Sequence, residues 1–330
     1  MVTLDGRPER LLIHRADDLA GHLAGARLVA RVRRVERPLA TVFLDLGAAP
    51  DGVLPLGGAA ASLSEGARIE VEVISPPRAD KGPVVRLIGP AEGEPRVLVE
   101  ALSLAEQLRR LAPEIDIIGG PEARAMADLA EDAALAVVHA LPSGGSIAIE
   151  PTRALVAIDV DVGPAAGDAR KAATRANREA ITASACLLRL KGLAGAVVID
   201  LAGKGHDGEA LKAVAAAAFA PDQPGVALGP ITRFGLWPLT LPHRSAPVAE
   251  ILCTAAGTPT DATLALRLLR EIEREAGAGG RVEAHVHPDW ADAAVRLAPF
   301  LTRRIGARFR IVPDPKADRL RPTVHPWEAP

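Results

Sequence analysis

The stretch "LPSGGSIAIEPTRALVAIDVDVG", residues 141–163, decides how the centre of this chain is read. Gly and Pro punctuate runs of β-branched residues, which divides it into a turn ("PSGG"), a strand ("SIAIE"), a second turn at Pro151–Thr152 and a longer apolar strand ("ALVAIDVDVG"). Two aspartates, Asp159 and Asp161, stand where that last pattern calls for valine. Side chains alternate faces along a strand, so the two carboxylates share one face, their roots roughly 7 Å apart, while Ile158 and Val160 take the other.

Downstream, "GDARKAATRANREAITASACLLRLKG" (167–192) carries the marks of a helix. Asp168 is placed to cap its start, Ala173, Ala176, Ala180, Ala183 and Leu187 form an apolar stripe, and Gly192 follows the last turn. "AGAVVID" (194–200) is then a short apolar run ending in Asp200. Strand, helix, strand is a parallel crossover in which both strands end on the same edge of the sheet. Asp159, Asp161 and Asp200 are therefore expected together at that edge, where open parallel sheets hold their ligands. Three convergent carboxylates repel one another unless a cation lies among them. Oxygen-only ligands select a hard ion, Mg²⁺ or Mn²⁺, and such an ion activates water for phosphodiester cleavage. The basic helix face from Arg170 to Lys191, with Arg170, Lys171, Arg175, Arg178, Arg189 and Lys191, is expected beside the carboxylates, where it could hold backbone phosphates.

The rest of the chain sets bounds on this reading. Its 330 residues, 48% hydrophobic, suffice for several domains, and a net charge of −2 gives no bulk basic signature for nucleic acid. Cys186 and Cys253 form no CxxC pair, so neither a disulfide framework nor structural zinc is expected. No apolar run approaches the roughly 20 residues of a membrane span, and the N-terminus lacks a signal pattern, which predicts a cytoplasmic protein with no membrane partner. Residues 26–89 read as four or five short alternating strands between Gly, Pro and Asp turns, a small barrel of the OB type. Such barrels bind single strands through basic grooves and aromatic platforms, and Phe43 is the one ring in these strands. Residues 96–140 read as helix-rich around a short strand "EIDIIGG" (114–120), and residues 251–330 as a small α/β domain. His285 and His287 in "EAHVHP" lack a third metal ligand and read better as structural.

At "LPSGGSIAIEPTRALVAIDVDVG", "ANREAITASACLLRLKGLAGAVVID" and "ITRFGLWPL" (231–239) the chain resembles the ribonuclease E/G family, endoribonucleases that cut single-stranded RNA with Mg²⁺. The resemblance implies a DNase I-like α/β catalytic core over 141–250, an S1/OB-type β-barrel over 26–89, and an RNase H-like remnant built from 1–25 and 90–140. Residues 251–330 remain as the small C-terminal α/β domain. It maps the metal-binding, catalytic carboxylates onto Asp159 and Asp200; Asp161 stands where the family usually has asparagine. It also maps an RNA-contacting lysine onto Lys81, in "DKGPVVRL". Departures accompany the likeness. There is no room between Gly89 and Pro113 for the family's 5′-monophosphate sensor, and an arginine of that sensor is replaced near Gly225. Only Cys253 remains of the two-cysteine zinc link. A second aspartate expected three residues after Asp200 is Gly203, followed by Lys204.

The resulting expectation is a Mg²⁺-dependent (or Mn²⁺-dependent) endoribonuclease acting on single-stranded RNA without selecting its 5′ end. Asp159, Asp161 and Asp200 hold the metal, while Lys81, Phe43, Arg170, Lys171, Asn177 and Arg233 contact RNA. Any homo-oligomer is expected to form without a zinc link. Two rivals stay open: a non-catalytic RNA-binding or scaffold relative, and a nucleotide-sugar transferase using Asp-x-Asp. The transferase predicts a nucleotide-sized pocket beside the aspartates, and the nuclease an open basic groove.

Overall fold

The computed structural model describes residues 1–4, 6–15, 18–78, 81–164, 168–277 and 279–327. Asp80 and Gly167, within two of the segments quoted above, lie outside them. In chain order the elements begin with the hairpin β1 (Val2–Leu4) and β2 (Arg7–Arg10). Next come β3 (Arg27–Glu36), β4 (Thr41–Asp45), β5 (Gly52–Pro55), β6 (Arg68–Ser75), β7 (Val84–Pro90) and β8 (Arg96–Val99). Then follow α1 (Leu104–Leu111), α2 (Pro121–Leu135), β9 (Val138–Ala140), β10 (Ser146–Pro151), β11 (Val156–Asp161), α3 (Ala169–Lys191), β12 (Gly195–Asp200) and α4 (Gly208–Ala218). The chain ends in β13 (Ala227–Leu228), β14 (Leu236–Leu241), α5 (Val248–Leu252), α6 (Asp261–Ala276), β15 (Val282–Val286), α7 (Pro288–Ile305), β16 (Phe309–Pro313) and β17 (Thr323–Pro326).

The described residues form two compact units, 1–117 with 127–248, and 118–126 with 249–330. In the first unit, β3 to β7 close into a five-stranded barrel in the order β3-β4-β5-β7-β6, with β3 pairing both β4 and β6. One parallel step, β5 on β7, gives the Greek-key connection compatible with an S1/OB-type domain. Alternation builds it: Leu28, Ala30, Val32, Val42, Leu44, Ile69, Val71 and Val73 fill the interior, while the intervening charged residues face out.

The segments expected to make an RNase H-like remnant are divided among three sheets. The β1–β2 hairpin is a sheet of its own, β8 extends the barrel along β3, and β9 pairs with β10 in the central sheet. "EIDIIGG" is not a strand. Ile115, Ile117 and Ile118 are exposed there, and an apolar run without a neighbouring strand to pair cannot stand as one.

The central sheet runs β13-β14-β12-β11-β10-β9. Its β11–β12 step is parallel, joined by α3 as the sequence predicts, and β10 and β14 flank it antiparallel. Asp168 caps α3 by accepting from the N–H groups of Arg170 (3.0 Å) and Lys171 (3.2 Å), and Gly192 ends it in the left-handed region. Val156, Ile158, Val160, Val197 and Ile199 pack against Ala176, Ala180, Ile181 and Leu188 of α3 and Leu211 and Ala215 of α4. Both helices thus cover one face of the sheet. In the second unit α6 and α7 pack on the sheet β16-β15-β17 around Leu268, Ile272, Val286 and Trp290. His285 there bonds Glu283 at 2.7 Å and His287 caps α7, the structural reading of both.

Candidate active site

Register brings the sequence-predicted carboxylates together. Asp159 on β11 and Asp200 on β12 are direct cross-strand partners at the end of the parallel pair. Neighbouring strands lie about 4.8 Å apart, so the two side chains rise side by side. Both are exposed. Among the described residues neither accepts a hydrogen bond nor makes an ion pair, so no protein cation offsets their repulsion. Their face is the one without helices, and its neighbours are small: Ala148 opposite Asp159 and Ala157 and Val198 one step back.

Asp161 stands apart from this pair. It ends β11, opposite Ser146, and its Oδ1 accepts a hydrogen bond from the N–H of Gly163 at 2.9 Å. That turn is locked by close backbone approach. A Cβ at Gly145 would lie 2.2 Å from the Asp161 carbonyl oxygen, and one at Gly163 (φ +69°) would lie 2.6 Å from that of Gly144. Among the described residues no group of three His, Cys, Asp or Glu side chains is arranged to hold a metal ion. The three-aspartate cage expected from the sequence is therefore not preformed; a two-aspartate pair is. The donor set still fits a hard ion, because Mg²⁺ is commonly held by one or two carboxylates with water and substrate phosphate completing its shell.

The loop after β12 is fixed by a residue that sequence reasoning assigned to RNA. Asn177 on α3 is 2% exposed, and its side chain donates to the Ala202 carbonyl at 3.0 Å and accepts from the Ala202 N–H at 2.9 Å. Buried and with both polar atoms engaged, Asn177 positions the chain beyond Asp200. Gly203 then passes close to α3, where a Cβ would lie 3.1 Å from that of Ala173.

The remaining predicted contacts fall into three places. Arg170 and Lys171 are exposed in the first turn of α3 and line an open groove with Thr174, Arg175 and Arg178. This groove runs along the helix, which covers the face of the sheet opposite the carboxylates, so only the start of α3 reaches the carboxylate edge. Arg233 lies in the turn before β14, whose Leu236 pairs with Asp200. Its guanidinium sits 4.7 Å from the ring centre of Phe234, which is 72% exposed. Thr232 holds that turn, its N–H donating to the Leu236 carbonyl (2.9 Å) and its Oγ1 accepting from the Leu236 N–H (3.1 Å). Phe234 was missed in the sequence because it sits in an apolar run, "ITRFGLW", where a ring reads as core.

Lys81 and Phe43 belong to the barrel. Phe43 is half-buried on its outer surface under the guanidinium of Arg34, 4.9 Å away. Lys81 is exposed in the β6–β7 loop, whose Arg78 bonds Nδ1 of His243 at 2.7 Å. Burial, then the charges of Arg78 and Lys81, push His243 below its ordinary pKa. His243 lies against Gly195, at the start of β12, so this loop meets the central sheet at the end remote from Asp200.

Residues 125–242, which contain both aspartates, the crossover and the Arg233–Phe234 turn, match the Ribonuclease E/G family. Over this segment the chain is similar to that family. Ribonuclease E of Escherichia coli (strain K12) is 33% identical over 198 residues, covering 53% of this chain and 18% of its own length. Ribonuclease E of Buchnera aphidicola subsp. Acyrthosiphon pisum is 34% identical, and that of Haemophilus influenzae 35%, each over 148 residues covering 41% of this chain and 16% of its own. The chain thus spans less than a fifth of the length of these relatives. Within the matched segment strand register holds the aspartate pair side by side.

Proposed function

We propose that this chain is a divalent-metal-dependent endoribonuclease that cuts single-stranded RNA without selecting its 5′ end. One observation carries the reading: Asp159 and Asp200 stand in register, exposed and without a protein partner, inside the segment that matches the ribonuclease E/G family. Asp159 and Asp200 would hold Mg²⁺ or Mn²⁺, with Asp161 as a nearby third negative charge. An ion bound there supplies neutralisation of the phosphodiester charge and activation of a water.

The chain's own residues do the rest. Arg233 and the exposed Phe234 ring flank Asp200, suited to a phosphate and a stacked base respectively. Arg170 and Lys171 add positive charge at the start of α3. Lys81 and Phe43, on the barrel, serve strand segments distant from the cleaved bond. Asn177 acts as a positioning residue for the loop behind Asp200. The segment between barrel and central sheet, residues 100–135, holds only α1 and α2, which supports cleavage without a 5′ sensor. No helix among the described residues is long and apolar enough to cross a membrane, in keeping with a cytoplasmic site of action. Self-association, where it occurs, would not depend on zinc.

The open face around the aspartates favours this reading over a nucleotide-sugar transferase, which needs an enclosing pocket. The test is cleavage of an end-labelled single-stranded RNA with Mg²⁺. Asp159→Ala and Asp200→Ala should each lower the rate at least about 100-fold, the scale of losing the main electrostatic group of a site. Undiminished cutting by both variants removes the proposal. RNA binding that survives EDTA, with no cleavage under Mg²⁺ or Mn²⁺, favours a non-catalytic relative instead.

A further inference from the structure

The end of the central sheet remote from Asp200 carries a second polar concentration, made by residues far apart in sequence. A small cleft of about 40 Å³ opens there between the end of α3, the end of β14 and the strand β2, lined by Arg10, Arg189, Asp222, Arg244 and Ser245. We propose that this cleft binds a phosphate-type oxyanion, held by Arg10 and Arg244.

Charge counting favours an anion. Three guanidinium groups, of Arg10, Arg189 and Arg244, meet two carboxylates, of Glu9 and Asp222. Arg189 engages both: its Nε donates to Glu9 at 2.5 Å, and one terminal nitrogen donates to Asp222 at 2.6 Å and to the Ala218 carbonyl at 3.0 Å. Its side chain is only 9% exposed. Arg10 is left with Asp222 Oδ1 at 3.6 Å, and among the described residues it donates no hydrogen bond. Arg244 uses a single terminal nitrogen, on the carbonyls of Asp222 (2.9 Å) and Pro224 (2.8 Å). A guanidinium offers five donors, so both arginines keep several for a ligand. Burial lowers the pKa of Arg10, and the charges of Arg189 and Arg244 add to that effect while Asp222 and Glu9 oppose it. A bound anion would offset this cost, since planar guanidiniums match phosphate oxygens in paired hydrogen bonds.

The backbone is shaped to the same end. Gly192 closes α3 at φ +67°, and a Cβ there would lie 2.6 Å from the Ala246 carbonyl and 3.0 Å from the Ser245 hydroxyl. Only glycine lets the Ala246 carbonyl come this close, and Ser245 beside it lines the cleft. The cleft is separated from Asp200 by the length of β12, about 16 Å at the usual strand rise, so it is distinct from the carboxylate pair.

The test is titration of the whole chain with inorganic phosphate in EDTA, by calorimetry and by the shift of the thermal unfolding midpoint, against chloride at equal ionic strength. Wild type should show saturable binding and a raised midpoint. Arg10→Gln should weaken binding at least about tenfold, the scale of losing one charge-assisted contact. Arg10→Lys should restore part of it, and Asp159→Ala/Asp200→Ala should leave it unchanged. Adenosine 5′-monophosphate, titrated in parallel, distinguishes the source: binding under the same Arg10 dependence assigns the phosphate of a nucleotide, and binding of phosphate alone assigns the free ion. The proposal is overturned if phosphate gives wild type no more stabilisation than chloride. It is equally overturned if Arg10→Gln and Arg244→Gln, both folded by circular dichroism, bind phosphate as wild type does. In either case the arginines serve only to hold β2 against α3.

Discussion

The two ends of β12 carry acidic residues in opposite states. At the Asp200 end, two carboxylates stand exposed and in register with no protein cation. At the Gly195 end, Glu9 and Asp222 are locked to a nearly buried Arg189. The contrast separates charge engaged within the fold from charge left open to a ligand. A buried carboxylate is tolerated where its partner compensates the loss of water, whereas an exposed, uncompensated pair gains nothing from its neighbours and is a candidate for function.

That contrast can be broken by stability measurements, where the largest effect is expected. Asp222→Ala leaves the enclosed Arg189 with Glu9 alone and should cost about 3 kcal/mol, near the lower end for removing one partner of a buried pair. Asp200→Ala removes a repulsion and should lie within about 0.5 kcal/mol of wild type, the range of surface changes. Urea unfolding of both variants decides the matter. Equal losses would mean that Asp200 has a structural partner too.

A second prediction sharpens the functional half. Phe234→Ala removes the ring beside Asp200 and should weaken single-strand binding by about 1–3 kcal/mol, the scale of one stacked base. Phe43→Ala, whose ring already lies under Arg34, should cost less. Fluorescence anisotropy with a short RNA, in EDTA so that no cleavage intervenes, reads both. A larger loss at Phe43 would move the main stacking platform from the sheet edge to the barrel.

How far these regions could be read from sequence follows from how local their signals are. The crossover was legible because each part announces itself within a few residues: Asp168 before the helix, Gly192 after it, and alternating Ile and Val on both strands. Barrel strands were legible for the same reason. The contradiction over α3 was also written in the pattern: the helix packs on Ile158 and Val160, so it cannot face the aspartates that alternate with them. Burial of Asn177 was not legible, since nothing beside it in sequence marks Ala202 as its partner. The Arg189 network joins Glu9 to a residue 180 positions away, beyond the reach of any local pattern.

The smallest expected effect concerns Asp161. Its Oδ1 accepts from Gly163, a bond that an amide oxygen makes equally well, so Asp161→Asn should leave stability unchanged within about 0.5 kcal/mol. The charge it removes lies roughly 7 Å from that of Asp159 by the strand rise. In water-like surroundings that charge favours a divalent ion by roughly 1 kcal/mol, and by less once salt screens it. Mn²⁺ affinity, read by electron paramagnetic resonance, should therefore fall about three- to tenfold in Asp161→Asn, and further in Asp159→Asn, where a ligand oxygen is lost. A loss at Asp161 as large as at Asp159, or steady as salt is raised, would show direct coordination. The turn at Gly163 would then have to open when metal binds, and the pair would become a triad only in the loaded protein.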